Sequence, residues 1–199
     1  MKHKGIMQTI LSMVLLSPAL AFAHAEADGS GFIAGLLHPI TGFDHLLAML
    51  SVGILSAQLG GRKIWTVPTL FVTSMVVGGF MGAYGVSLPY VEFGIALSVV
   101  VLGLAIALAH RHDGSSIVYL FVAFFGMLHG HAHGVEMPNS ASPVFYSFGF
   151  VVSTSCIHIL GVLIGYYFTH YEKLREALTY IGAGMTGAGC IIFYGLIGG

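Results

Sequence analysis

Tyr90-Val91-Glu92-Phe93-Gly94-Ile95-Ala96-Leu97-Ser98-Val99-Val100-Val101-Leu102-Gly103-Leu104-Ala105-Ile106-Ala107-Leu108-Ala109 is one unbroken apolar run whose only charge is Glu92. A helix of about 20 residues rises about 1.5 Å per residue, or about 30 Å, which matches the hydrocarbon core of a bilayer. Five further runs qualify in the same way, at residues 31–58, 64–83, 117–134, 144–168 and 178–197. They are separated by Gly60-Gly61-Arg62-Lys63 and by residues 84–89, 110–114, 135–143 and 169–177, each rich in turn formers or charges. The whole chain has the same character. Of its 199 residues 56% are hydrophobic and 8% charged, with a mean hydropathy of +0.90. A soluble domain carries about 25% charge, so a soluble globule is excluded. Seven basic residues against eight acidic ones leave no basic field for nucleic acid. The expected class is all-α, a polytopic membrane bundle of six transmembrane helices, in one domain over residues 24–199. Cys156 and Cys190 lie in apolar runs and read as packing residues.

Residues 1–23 read as a cleavable signal peptide. Met1-Lys2-His3-Lys4 is positive, residues 6–20 are apolar, and Ala21-Phe22-Ala23 fits the small-x-small cleavage rule. Cleavage would leave His24 at the new amino terminus, where His24, Glu26 and Asp28 are candidates for cation capture. Arg62 and Lys63 lie in the first loop, Arg111 in the third, and Lys173 and Arg175 in the fifth, while the second and fourth have no basic residue. The positive-inside rule places the odd loops in the cytoplasm. Both mature termini then face the periplasm of a bacterial inner membrane. The pairs Gly31/Gly35, Gly78/Gly82, Gly126/Gly130 and Gly161/Gly165 predict close helix contacts.

Ionisable groups in hydrocarbon cost about 2.5–3.5 kcal/mol each, so those present call for a function. The first block is His38-Pro39-Ile40-Thr41-Gly42-Phe43-Asp44-His45. On a regular helix His38, His45 and Met49 share a stripe and Asp44 points about 100° away. Pro39 and Gly42 predict a broken turn that lets His38, Asp44 and His45 converge. The second block is His129-Gly130-His131-Ala132-His133-Gly134-Val135-Glu136. His129, His133 and Glu136 share a face, and an i, i+4 histidine pair is a helix-borne chelate. His131 points the other way and is an accessory candidate at most. His158 shares a small, polar face with Thr154, Ser155, Gly161 and Gly165. Glu92 stands near the outer end of its run. The competing reading of each block is a hydrogen-bonded packing set without metal.

Imidazole with carboxylate suits Ni²⁺, Co²⁺, Fe²⁺ or Zn²⁺, whereas thiolates would favour Cu(I) and oxygen-only sites Mg²⁺ or Ca²⁺. No phosphate-binding G-x-x-x-x-G-K-[ST] motif and no large cytoplasmic region is present. Inward movement of a dication at 100 mV gains about 4.6 kcal/mol from the potential alone. The expected cargo is a transported divalent ion, with no permanent cofactor.

These blocks together resemble the HupE/UreJ family of bacterial membrane proteins. The resemblance rests on His38-Pro39-x-x-Gly42-x-Asp44-His45, His129-Gly130-x-Ala132-His133-Gly134-x-Glu136 and His158, and it covers the mature chain. It implies a secondary transporter or facilitator for nickel, with cobalt or iron in some members, supplying hydrogenase or urease through their metallochaperones. The first block is also similar to the H-x4-D-H pattern of nickel/cobalt permeases, but here five residues separate His38 from Asp44. Three rival readings use the same histidines: an integral-membrane metalloenzyme, a b-type haem protein, and a metal-binding sensor or accessory subunit.

Overall fold

The computed structural model describes residues 31–108, 117–138 and 142–198. The signal-peptide region, His24, Glu26 and Asp28, and the loop residues 110–114 lie outside the described residues. Among the described residues there are seven helices and no strand. They are α1 (Gly31–Thr41), α2 (Phe43–Leu59), α3 (Lys63–Ala83), α4 (Val91–Leu108), α5 (Ile117–Val135), α6 (Pro143–His170) and α7 (Glu172–Gly198). Five are long and apolar enough to cross a membrane, and the α1–α2 pair makes a sixth span if its two pieces are counted as one.

The first span is broken, as Pro39 and Gly42 predict. α1 and α2 meet at 81°. Pro39 has no N–H to give to the preceding turn. Gly42 takes an extended conformation at φ −83°, ψ 109°, and its carbonyl then accepts the Leu46 N–H at 2.9 Å to start α2. The Thr41 hydroxyl donates to the His38 carbonyl at 2.8 Å, and the Asp44 carboxylate accepts the His45 N–H at 2.8 Å. Backbone groups freed by the break thus find side-chain partners, as irregular backbone inside a bilayer requires.

One expectation is corrected. Residues 169–177 are helical apart from a single extended residue, Tyr171, so the last helix, α7, starts at Glu172 and not at 178. Glu172, Leu174, Arg175, Glu176 and Ala177 are strong helix formers. Their charge marks where the span leaves the apolar layer, not where the helix ends.

Glycine sets the packing. A methyl on Gly130 would collide with the Met75 carbonyl, and one on Gly78 with the Met127 carbonyl. Along this seam Phe71, Met75 and Gly79 of α3 meet Gly126, Gly130 and Gly134 of α5 in ascending order, so the two helices run parallel. Gly31, Gly35 and Gly149 bring α1 against α6, and Gly53, Gly161 and Gly165 bring α2 against α6, again in parallel. Gly103, Gly182 and Gly189 join α4 to α7 in descending order, an antiparallel pair. Alternating threading of six spans demands this combination, since first and fifth run alike, second and fourth run alike, and third and sixth oppose. Gly184 and Gly187 touch nothing within 4 Å, so the glycines of the last span are only partly used.

The core beneath the break is apolar. Val52, Leu55, Val99, Leu102, Ile106 and Leu178 are each at most 3% exposed. The polar residues gather at one end of the bundle, where α1 ends and α5 finishes.

Candidate metal centre

The break in the first span aims its two histidines at α5. The His38 ring lies 4.6 Å from the His133 ring and the His45 ring 4.2 Å from it, centroid to centroid. His45 is also 5.0 Å from His129. Glu136, just past the end of α5, accepts a hydrogen bond from His38 Nε2 at 3.0 Å and lies 3.8 Å from His133 Nδ1. His38, His133 and Glu136 each bring a ligand atom within 4.8 Å of the other two, close enough for one ion. The hydrogen bond from His38 holds the Glu136 carboxyl below its ordinary range. A metal ion would take the place of the shared proton and release it.

Asp44 stands behind this group. Its Oδ1 accepts both the His45 N–H and the His45 Nδ1–H, at 2.8 and 2.9 Å. That tautomer turns the unprotonated Nε2 away from Asp44, and Nε2 has no partner. His129 is set in the same way: Nδ1–H donates to the Phe125 carbonyl at 2.8 Å and Nε2 is left without a partner. A carboxylate or carbonyl that fixes one ring nitrogen so that the other can bind metal is a recurring outer-shell device.

Burial deepens along the group. The Glu136 side chain is 49% exposed and that of His38 26%, but His133 is 3% exposed and His129 wholly buried. Both ring nitrogens of His133 lack a hydrogen-bond partner. An orphaned polar atom costs about 1–3 kcal/mol when buried. A packing set would have satisfied these atoms, so their lack of partners favours the ligand reading of His133 over the hydrogen-bonded one.

The remaining candidates fall outside this group. His158 is buried on α6, with its ring 5.1 Å from the Phe71 ring. His131 points away and shares a 2.6 Å hydrogen bond with the Val86 carbonyl, which anchors the loop between α3 and α4. Met49 is fully buried in the apolar core, one turn below His45. Glu92 is exposed in the first turn of α4, near enough for its charge to act with His45, Asp44 and Glu136.

Three neighbours carried no sequence signal. Tyr146 stands 5.8 Å from His38 with a buried hydroxyl that has no partner, Phe150 packs 4.3 Å from His133, and Phe71 touches His129 at 5.3 Å. Aromatic residues are common in apolar spans, so nothing in the sequence separates these from core. A groove of about 430 Å³, walled by Met75, Gly79, Phe80, Tyr146 and Phe150, reaches His133 from the flank between α3 and α6.

The sequence pattern of the HupE / UreJ protein family matches residues 11–192, nearly the whole chain. Protein HupE from Rhizobium leguminosarum bv. viciae is 39% identical over 162 residues, which is 81% of this chain and 83% of the relative. The chain belongs to the HupE/UreJ family. No solved structure matches it significantly. HupE/UreJ proteins are membrane proteins of the transporter type, associated with metal uptake, and not enzymes. The metalloenzyme reading is set aside on that ground.

Proposed function

We propose that this HupE/UreJ protein carries a divalent transition-metal ion, Ni²⁺ before Co²⁺, Fe²⁺ or Zn²⁺, from the periplasm to the cytoplasm. The observation that carries the reading is the meeting of His38, His133 and Glu136 within 4.8 Å, from two helices and the end of one of them. Two imidazoles and a carboxylate suit these ions. Glu92 and Glu136 draw the cation to the mouth, His38, His133 and Glu136 hold it, and His45, oriented by Asp44, receives it next.

The direction is supported by charge. Arg62 and Lys63 sit at the end of the bundle away from the metal group, and Arg175 lies there too, beside the end of α6. The positive-inside rule puts that end in the cytoplasm, so the mouth with Glu136 opens to the periplasm in an inner membrane. A cleaved signal peptide at residues 1–23 would agree with that orientation. The membrane potential supplies about 4.6 kcal/mol per dication at 100 mV, and cytoplasmic nickel enzymes and their metallochaperones are the natural recipients.

The test is uptake of labelled Ni²⁺ into vesicles that contain this chain alone, with Co²⁺, Fe²⁺ and Zn²⁺ as competitors. His133→Ala and Glu136→Gln should abolish uptake while the protein stays in the membrane. Undiminished uptake by both variants would falsify the assignment.

A further inference from the structure

Beneath the outer group the polar path continues along two helices. On α5, His133 and His129 are one turn apart; on α6, Phe150, Thr154 and His158 follow at the same spacing. The Phe71 ring of α3 stands between the two rows, 5.3 Å from His129 and 5.1 Å from His158. His158 lies about 18 Å down α6 from Tyr146, the neighbour of His38, at about 1.5 Å per residue. It is 2% exposed, and neither ring nitrogen has a hydrogen-bond partner. The Thr154 hydroxyl and His129 Nε2 are also buried without partners.

A histidine held in a helix for packing has an easy remedy, the carbonyl one turn back. His129 takes it at Phe125 and His170 takes it at Tyr166. His158 does not take it at Thr154, and Thr154 does not take it at Phe150. Two polar side chains one turn apart on α6, Thr154 and His158, therefore forgo bonds that lie within reach. Among the described residues no carboxylate pairs with His158, whereas His38 and His45 each have one.

We propose that His158, with the Thr154 hydroxyl beside it and His129 beyond the Phe71 ring, forms a second, charge-neutral station for the metal ion, and that Phe71 is the movable partition between this station and the outer group. The inference rests on the outer group being the cargo site. Without a carboxylate the inner station attracts a dication less strongly. It is strong enough to accept the ion and weak enough to release it, as conduction through successive sites requires.

The experiment uses the full-length protein in nanodiscs, with Ni²⁺ binding measured by equilibrium dialysis and Co²⁺ binding by absorption. Wild type should bind two Ni²⁺ per chain, the second about tenfold more weakly or less tightly still. His158→Gln should lose the weak ion and keep the tight one, and Glu136→Gln should impair the tight one. His158→Cys should give a sulfur-to-cobalt charge-transfer band on addition of Co²⁺, a signal that a sealed packing residue cannot produce. It decides the matter if His158→Gln does not assemble. The proposal is overturned if His158→Gln binds Ni²⁺ as wild type does, or if His158→Cys shows no sulfur band. Wild-type binding by Glu136→Gln would instead overturn the outer site, whatever the result at His158.

Discussion

Asp44 is adjacent to His45 in sequence, and both of its hydrogen bonds end on that one residue. Its contribution is to fix a tautomer, which makes the amide a sensitive probe. Asp44→Asn keeps the shape, removes the charge and permits the wrong tautomer. Loss of such an outer partner typically costs 10–100-fold in metal affinity, so Ni²⁺ uptake should fall by about that factor at an unchanged level of protein, as vesicle assays would measure. Acidity should act on other residues. A carboxyl held below its ordinary range stays ionised until the pH falls through that lowered value, so Glu136 keeps its charge through mild acid. The imidazoles must be neutral to bind and ordinarily protonate near pH 6.5. Uptake by the wild-type chain should therefore decline below about pH 6, as vesicle assays across a pH series would show. Uptake that keeps its full rate down to about pH 5 would contradict this division. At this scale the ligand types were legible because ionisable residues stand out in an apolar chain. Phe71, Tyr146 and Phe150 were not, because their importance lies in distances that no spacing rule encodes.

The break between α1 and α2 turns two histidines on one stripe into two that face another helix. A methyl at Gly42 would meet His45 Nδ1 at 2.9 Å and Asp44 Oδ1 at 3.4 Å. Gly42→Ala should thus disturb the Asp44–His45 pair directly. Uptake should drop severalfold while a thermal-melt assay in detergent moves little. Gly130→Val is expected to do the opposite in kind. It forces α3 and α5 apart at the Met75 carbonyl, and overpacking of this sort costs about 1–3 kcal/mol, so the melting temperature itself should fall. Legibility followed the same division. Pro39 and Gly42 announced the break, and the apolar runs announced five spans closely. The turn at Tyr171 was misplaced because charges were read as a loop, although a helix can leave the bilayer and continue in water. Which helices pair was not legible, since G-x-x-x-G patterns show that a helix packs closely but not against which partner.

At the scale of the whole molecule the tight pairs are first with fifth span, second with fourth, and third with sixth. Exchanging the first three spans for the last three maps this set onto itself, the relation that an inverted repeat in a transporter requires. An orientation test belongs here. A phosphatase reporter fused after Gly199 should be active in the periplasm, and one inserted at Arg62 should be silent. The reverse pattern would turn the mouth towards the cytoplasm and invert the direction of transport.

The glycine seams have one further consequence. Where backbones touch with no side chains between them, two helices cannot slide or tilt independently, so α3 with α5 and α1 and α2 with α6 behave as two slabs. His129, His133, Glu136 and Phe71 ride on the first slab, and His38, Asp44, His45 and His158 on the second. Every grip on the ion is therefore shared between bodies that can only rock as wholes. Letting go of the cargo and unlatching the molecule become a single mechanical event.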